Sequence, residues 1–184
     1  MATGICPITE WNKVDRKYLP IMLDVTGRTV LLLGGGRAAA EKLRTLDQIR
    51  PKTRAIAREF LPIFDDYPWI IRESRAYTPG DLAGADVVYC GLNDPVVEGA
   101  VAREARERGI LINFIDDREK SDFISASVLA RKHFSIFVSS YGRSPGAVKK
   151  LRQMIESTFD LDDLDLMVAR MAAERFPDRG HQKS

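Results

Sequence analysis

The clearest pattern of apolar and polar positions lies at residues 29–44, TVLLLGGGRAAAEKLR. Val30 to Leu33 form an unbroken apolar run, the pattern of a parallel strand buried on both faces. The alanine-rich stretch after the glycines predicts a helix that continues to Ile49. Lys52 to Ala57 predicts a second strand. Leu61-Pro62 to Tyr67-Pro68 predicts a short helix and turn, and Trp69-Ile70-Ile71 a brief third strand. Ala85 to Cys90 predicts a fourth strand that ends at Gly91. Asn93 or Asp94 caps the next helix, Pro95 takes its first position, and Gly109 stops it. Ile110 to Ile115 is a fifth apolar run, ending in Asp116-Asp117. Strands alternating with helices at this spacing imply an α/β fold with a doubly wound parallel sheet.

The pattern changes after Asp122. Phe123 to Leu129 and Phe134 to Ser139 are strand-like runs with no helix between them, which predicts a small antiparallel unit outside the main sheet. Ser144 and Pro145 open a helix that carries Lys149, Lys150 and Arg152. Leu161 to Phe176 begins acidic and ends basic, in keeping with a helix dipole. Met1 to Lys17 reads as loosely held, and Asp178 to Ser184 as disordered.

The glycines bring in chemistry. Gly34, Gly36 and Ala39 fit the spacing G-x-G-x-x-G/A: a tight turn, close backbone approach to a pyrophosphate, and tight helix–strand packing. The helix start aims unpaired N–H groups at an anion. The plain alternative is a glycine-rich structural turn. At the end of the second strand, where a ribose-binding acid is expected, stand Arg58 and Glu59. Arg58 suits a 2′-phosphate and Glu59 suits NAD one position late, or both are solvated. Ligands of such sheets sit beyond the carboxyl ends of the strands, so Gly34–Gly36, Gly91–Asn93 and Asp116 should rim one crevice.

At 184 residues, 45% apolar and 29% charged, the chain suits a globular domain with an appendage. A formal net charge of +2 gives no general case for nucleic acid. Cys6 and Cys90 form no C-x-x-C pair, and neither His133 nor His181 has a partner at ligand spacing, so no built-in metal site is expected. No stretch has the length of a membrane span, and the first residues lack a signal-peptide pattern; the cytosol is the expected compartment.

The order of motifs resembles the precorrin-2 dehydrogenases, including the amino-terminal module of siroheme synthases. The matching pieces are LPIMLDVTGRTVLLLGGGRAAAEK, ADVVYCGLNDP, ILINFIDD, DFISASVLAR and SSYGRSPGAVKKLRQMIE, spanning roughly Leu19 to Glu156. The resemblance implies a Rossmann-like NAD-binding domain over residues 1–124, a dimerisation and substrate-binding region over 125–158, and a helical tail over 159–184. It further implies NAD-dependent oxidation of precorrin-2 to sirohydrochlorin by a homodimer, with ferrous iron insertion in some members. The N-x-x-D aspartate corresponds to Asp116, expected to be catalytic. The expected nucleotide contacts are Gly34, Gly35, Gly36, Arg37, Ala38, Arg58, Glu59 and Asn93. Asn113, Ser140 and Arg143 are expected on the substrate side; Ser140 matches a serine that is phosphorylated in one branch of the family. The chain departs from the family pattern at Tyr141, where Gly or Asn is usual, at Ala126 in place of proline, and at Tyr89-Cys90-Gly91-Leu92. The altered Tyr141 loop and the absent acid at the end of the second strand favour the alternative function, a nucleotide- or tetrapyrrole-binding carrier or sensor without turnover.

Overall fold

The computed structural model describes residues 16–175. The readings for Cys6, Phe176, His181 and both chain ends lie outside the described residues. β1 (Thr29–Leu33) is buried at all five positions. β2 (Lys52–Ala57) and β3 (Ile71–Ser74) lie to one side of it, β4 (Val87–Cys90) and β5 (Leu111–Phe114) to the other. The order is β3-β2-β1-β4-β5, and every pairing is parallel. α1 (Arg37–Asp47) and α2 (Pro95–Arg108) cover opposite faces. Leu32 and Ala55 pack with Ala39, Ala40 and Leu43 of α1, whereas Leu31, Leu33, Val88, Ile112 and Phe114 pack with Val101 and Ala105 of α2. Helices on both faces explain why these strands read as continuous apolar runs. Asp94 caps α2 by accepting from the amides of Val96 and Val97, and Gly109 ends it in the left-handed region at φ 67°.

The third strand is displaced from its expected place at Trp69–Ile71. Trp69 and Ile70 instead turn into the core beside α1, where Trp69 Nε1 donates to Asp47 Oδ1 at 3.1 Å. The strand proper is the polar IRES, an outer strand whose Glu73 binds Arg54 of β2 at 2.9 Å. The expected short helix is a 3-10 turn, Pro62–Asp66, around the buried Phe64.

β5 is the other outer strand, and the chain itself covers its free edge. The amide of Asp122 donates to Ile112 O at 2.8 Å, and Asp122 Oδ2 accepts from the Ile112 amide at 3.0 Å. Ser121 Oγ accepts from the Phe114 amide at 2.8 Å and donates to Asp117 O at 2.8 Å. Beyond this cover, β6 (Ser127–Ala130) and β7 (Ser135–Val138) form the antiparallel pair. α3 (Pro145–Thr158) and α4 (Leu161–Arg175) follow. The β6–β7 turn binds α4 through Arg131–Asp162 and His133–Asp165, each at 3.0 Å. α3 buries none of its residues, and Leu151, Met154, Phe159, Leu166, Met167 and Met171 are exposed along the two helices.

Candidate functional site

The strand order reverses at β1 and β4, and there the glycines take distinct roles. Gly34 stands at φ 114°, and a Cβ on it would lie 2.6 Å from Gly91 O. A Cβ on Gly35 would lie 2.1 Å from Glu59 O, so the loop is pressed against both neighbouring strand ends. Gly36 differs: its added Cβ would meet nothing within 4 Å, and as N-cap it offers no side-chain acceptor. The first hydrogen bond of α1 is Ala40 N–H to Gly36 O. The amides of Arg37, Ala38 and Ala39 therefore have no acceptor within the helix; Arg37 is exposed and Ala38 half-buried, whereas Ala39 is buried against the Gly91 backbone. Arg58 and Glu59 are exposed just past β2. This cradle fits a dinucleotide pyrophosphate.

Across the switch point, a pocket of about 180 Å³ is lined by Gly91, Asn93, Glu98, Phe114, Asp116 and Asp117, among others. Its two adjacent carboxylates are not equivalent. Asp117 Oδ1 accepts from the amides of Glu119 and Lys120, and Asp117 Oδ2 pairs with Lys120 at 3.1 Å. The Lys120 ammonium and those amides hold the Asp117 carboxyl below the usual range. Asp116 is exposed, and among the described residues no hydrogen bond or ion pair engages its carboxylate. A larger hollow of about 320 Å³ lies between α2 and residues 77–80. The Glu104 carboxylate there is already bonded by Tyr77, Gly80 and Arg108, which leaves the smaller pocket as the candidate site.

Comparison with known proteins agrees with this geometry. A family model described as "Putative NAD(P)-binding" matches residues 21–127. Siroheme synthase 2 of Aeromonas hydrophila is 33% identical over 141 residues, 76% of this chain and 30% of that protein. The siroheme synthase of Nitrosomonas europaea is 31% identical over 172 residues, 90% of this chain and 35% of that protein. The chain belongs to the siroheme synthase N-terminal and precorrin-2 dehydrogenase family of NAD(P)-binding domains. It spans about a third of the length of these relatives. The solved structure of SirC, precorrin-2 dehydrogenase, has the same fold, with a TM-score of 0.74 at 18% identity, over 91% of this chain and 84% of that one. No helix among the described residues is long and apolar enough to cross a membrane.

The family's remaining signature residues occupy unlike settings here. Asn113 is 4% exposed; its Nδ2 donates to Phe123 O at 2.8 Å, while Oδ1 has no partner. Ser140 Oγ accepts from the Ser144 amide at 2.9 Å, and Arg143 is exposed. Arg118 brings their loop to the Asp116 side by donating to Tyr141 O at 3.3 Å. Tyr141 stands at φ 56°, a left-handed conformation that favours glycine or asparagine, and its ring stacks on Tyr18 at 6.4 Å. Two features escaped the sequence reading. One is Arg16, which binds the carbonyls of Arg118, Glu119 and Ser121. The other is Lys42, half-buried on α1.

Proposed function

We propose that this chain is an NAD-dependent dehydrogenase module that oxidises precorrin-2 to sirohydrochlorin. The observation that carries the reading is the uncommitted Asp116 carboxylate, across the strand switch point from an open pyrophosphate cradle, beside an Asp117 engaged by its own turn. The names of the relatives support the substrate class. Gly36 and the first amides of α1 would hold the pyrophosphate, with Arg58 and Glu59 near the adenosine ribose. Bound NAD supplies the hydride acceptor. Asp116 Oδ takes the proton that the macrocycle carbon must release as two electrons leave it with the hydride, so the products are sirohydrochlorin, NADH and a proton on the carboxylate.

Ferrous iron, as a second substrate, would displace pyrrole protons, and the same free carboxylate is suited to accept them. The apolar side chains exposed along α3 and α4 support a homodimer built on residues 125–158, with 1–124 as the NAD-binding part and 159–184 as a helical tail. The test is anaerobic incubation of the purified protein with precorrin-2 and NAD. Sirohydrochlorin appearing with equal NADH supports the reading, and iron added afterwards tests insertion. Binding of both ligands without turnover, with NADP also inactive, would replace the enzyme by a carrier or sensor.

A further inference from the structure

Lys42 lies on α1 about one and a half turns past Gly36. Its ammonium stands 5.6 Å from the centroid of the Tyr89 ring. That ring is fixed on its other sides: Phe123 meets it edge-on at 5.5 Å, and Ser125 Oγ donates to the Tyr89 hydroxyl at 3.4 Å. Burial pulls the Lys42 ammonium below the usual lysine range, against a smaller opposing pull from Glu41 and Asp116. Among the described residues no carboxylate comes within ion-pair distance of it.

This sets Lys42 apart from the other part-buried cations. Arg16, Arg54, Arg75, Arg118 and Arg152 each hold a carboxylate. A part-buried ammonium without an anion is costly, and the face of a tyrosine offsets only part of that cost. A second unmet group stands alongside. Asn113 is the register partner of Tyr89 on β5, and its buried Oδ1 has no donor. The cofactor pyrophosphate does not need Lys42, because the open amides at Gly36 serve it from the end of the helix. Lys42 instead faces β4 and lies within electrostatic reach of Asp116, on the side where a carboxylate-bearing macrocycle would rest.

We propose that Lys42 anchors a carboxylate of the tetrapyrrole in front of Asp116; this rests on the dehydrogenase reading above. The test compares wild type, Lys42→Met and Lys42→Arg for dissociation constants of sirohydrochlorin and of NADH, and for thermal midpoints. Lys42→Met should weaken sirohydrochlorin binding by about tenfold or more and flatten its salt dependence. NADH affinity and the midpoint should stay at wild-type values, and Lys42→Arg should keep most of the affinity. Equal sirohydrochlorin affinity in Lys42→Met would overturn the anchor, and so would a parallel loss of NADH binding. A wild-type protein that binds no sirohydrochlorin would overturn the dehydrogenase reading itself, and the anchor with it.

Discussion

Arg16 holds Ser121: its Nη1 donates to Ser121 O at 2.7 Å and also to Arg118 O at 2.9 Å, while Nε faces Glu119 Oε2 at 3.3 Å. One guanidinium thus ties down the loop that leaves Asp116. Arg16→Ala should cost about 1.5–3 kcal/mol, the range for hydrogen bonds that involve a charged group. Urea unfolding would read it as a lower midpoint at unchanged slope. Faster amide exchange confined to residues 117–121 would show that the loss is local.

The glycine loop gives a paired prediction. Gly35→Ala forces a methyl to 2.1 Å from Glu59 O, so it should destabilise the fold by about 3 kcal/mol. Gly36→Ala meets open space at φ −84°, so its stability should match wild type. Its methyl would instead occupy the approach to the helix amides, and NADH affinity should fall by about tenfold or more. Thermal melts and NADH titration of the two variants separate the effects.

Asp116 and Asp117 should respond differently to substitution. Asp116→Asn should lower kcat by about 10²–10⁴, the usual contribution of a positioned base, with NADH affinity and stability kept. Asp117→Asn should act through stability, because its carboxylate holds the turn amides and Lys120. Steady-state rates beside melting curves decide between them.

Acid stability should depend on Asp81. Arg75 binds it through both terminal guanidinium nitrogens, Nη1 and Nη2, at 2.7 and 2.8 Å, and with the Thr78 amide holds its carboxyl below the usual range. A carboxylate depressed by folding adds stability that is complete above its unfolded pKa of about 3.9 and is lost as pH falls through the lower folded value. Asp81→Asn should therefore be less stable than wild type near neutrality. The two should converge as pH drops below about 4, in urea midpoints measured across that range.

Much of this molecule is legible in its residues. Lys52–Ala57 forms the strand its pattern predicts, and Pro95 with Gly109 brackets α2, because proline and glycine act on backbone angles locally. The placement of Asp116 on the rim of the smaller pocket is legible too, since it follows the carboxyl end of a parallel strand. Trp69–Ile71 misleads because apolar character reports burial, whereas the outer strand Ile71–Ser74 is defined by hydrogen bonding and carries polar side chains. Arg16 could not be read at all: its acceptors lie about a hundred positions along the chain, and nothing local marks them. Lys42 looks like any lysine on an amphipathic helix until the Tyr89 ring is seen beside it.

The cover over β5 ties two selective pressures together. Ser121 and Asp122 occupy the amides and carbonyls that a foreign strand would otherwise capture, and they belong to the same turn that presents Asp116. A lineage that reshapes this turn to accept a different ligand risks uncovering an adhesive edge. Adaptation of the site should therefore proceed through Tyr89, Tyr141 and their neighbours, which can vary without inviting aggregation.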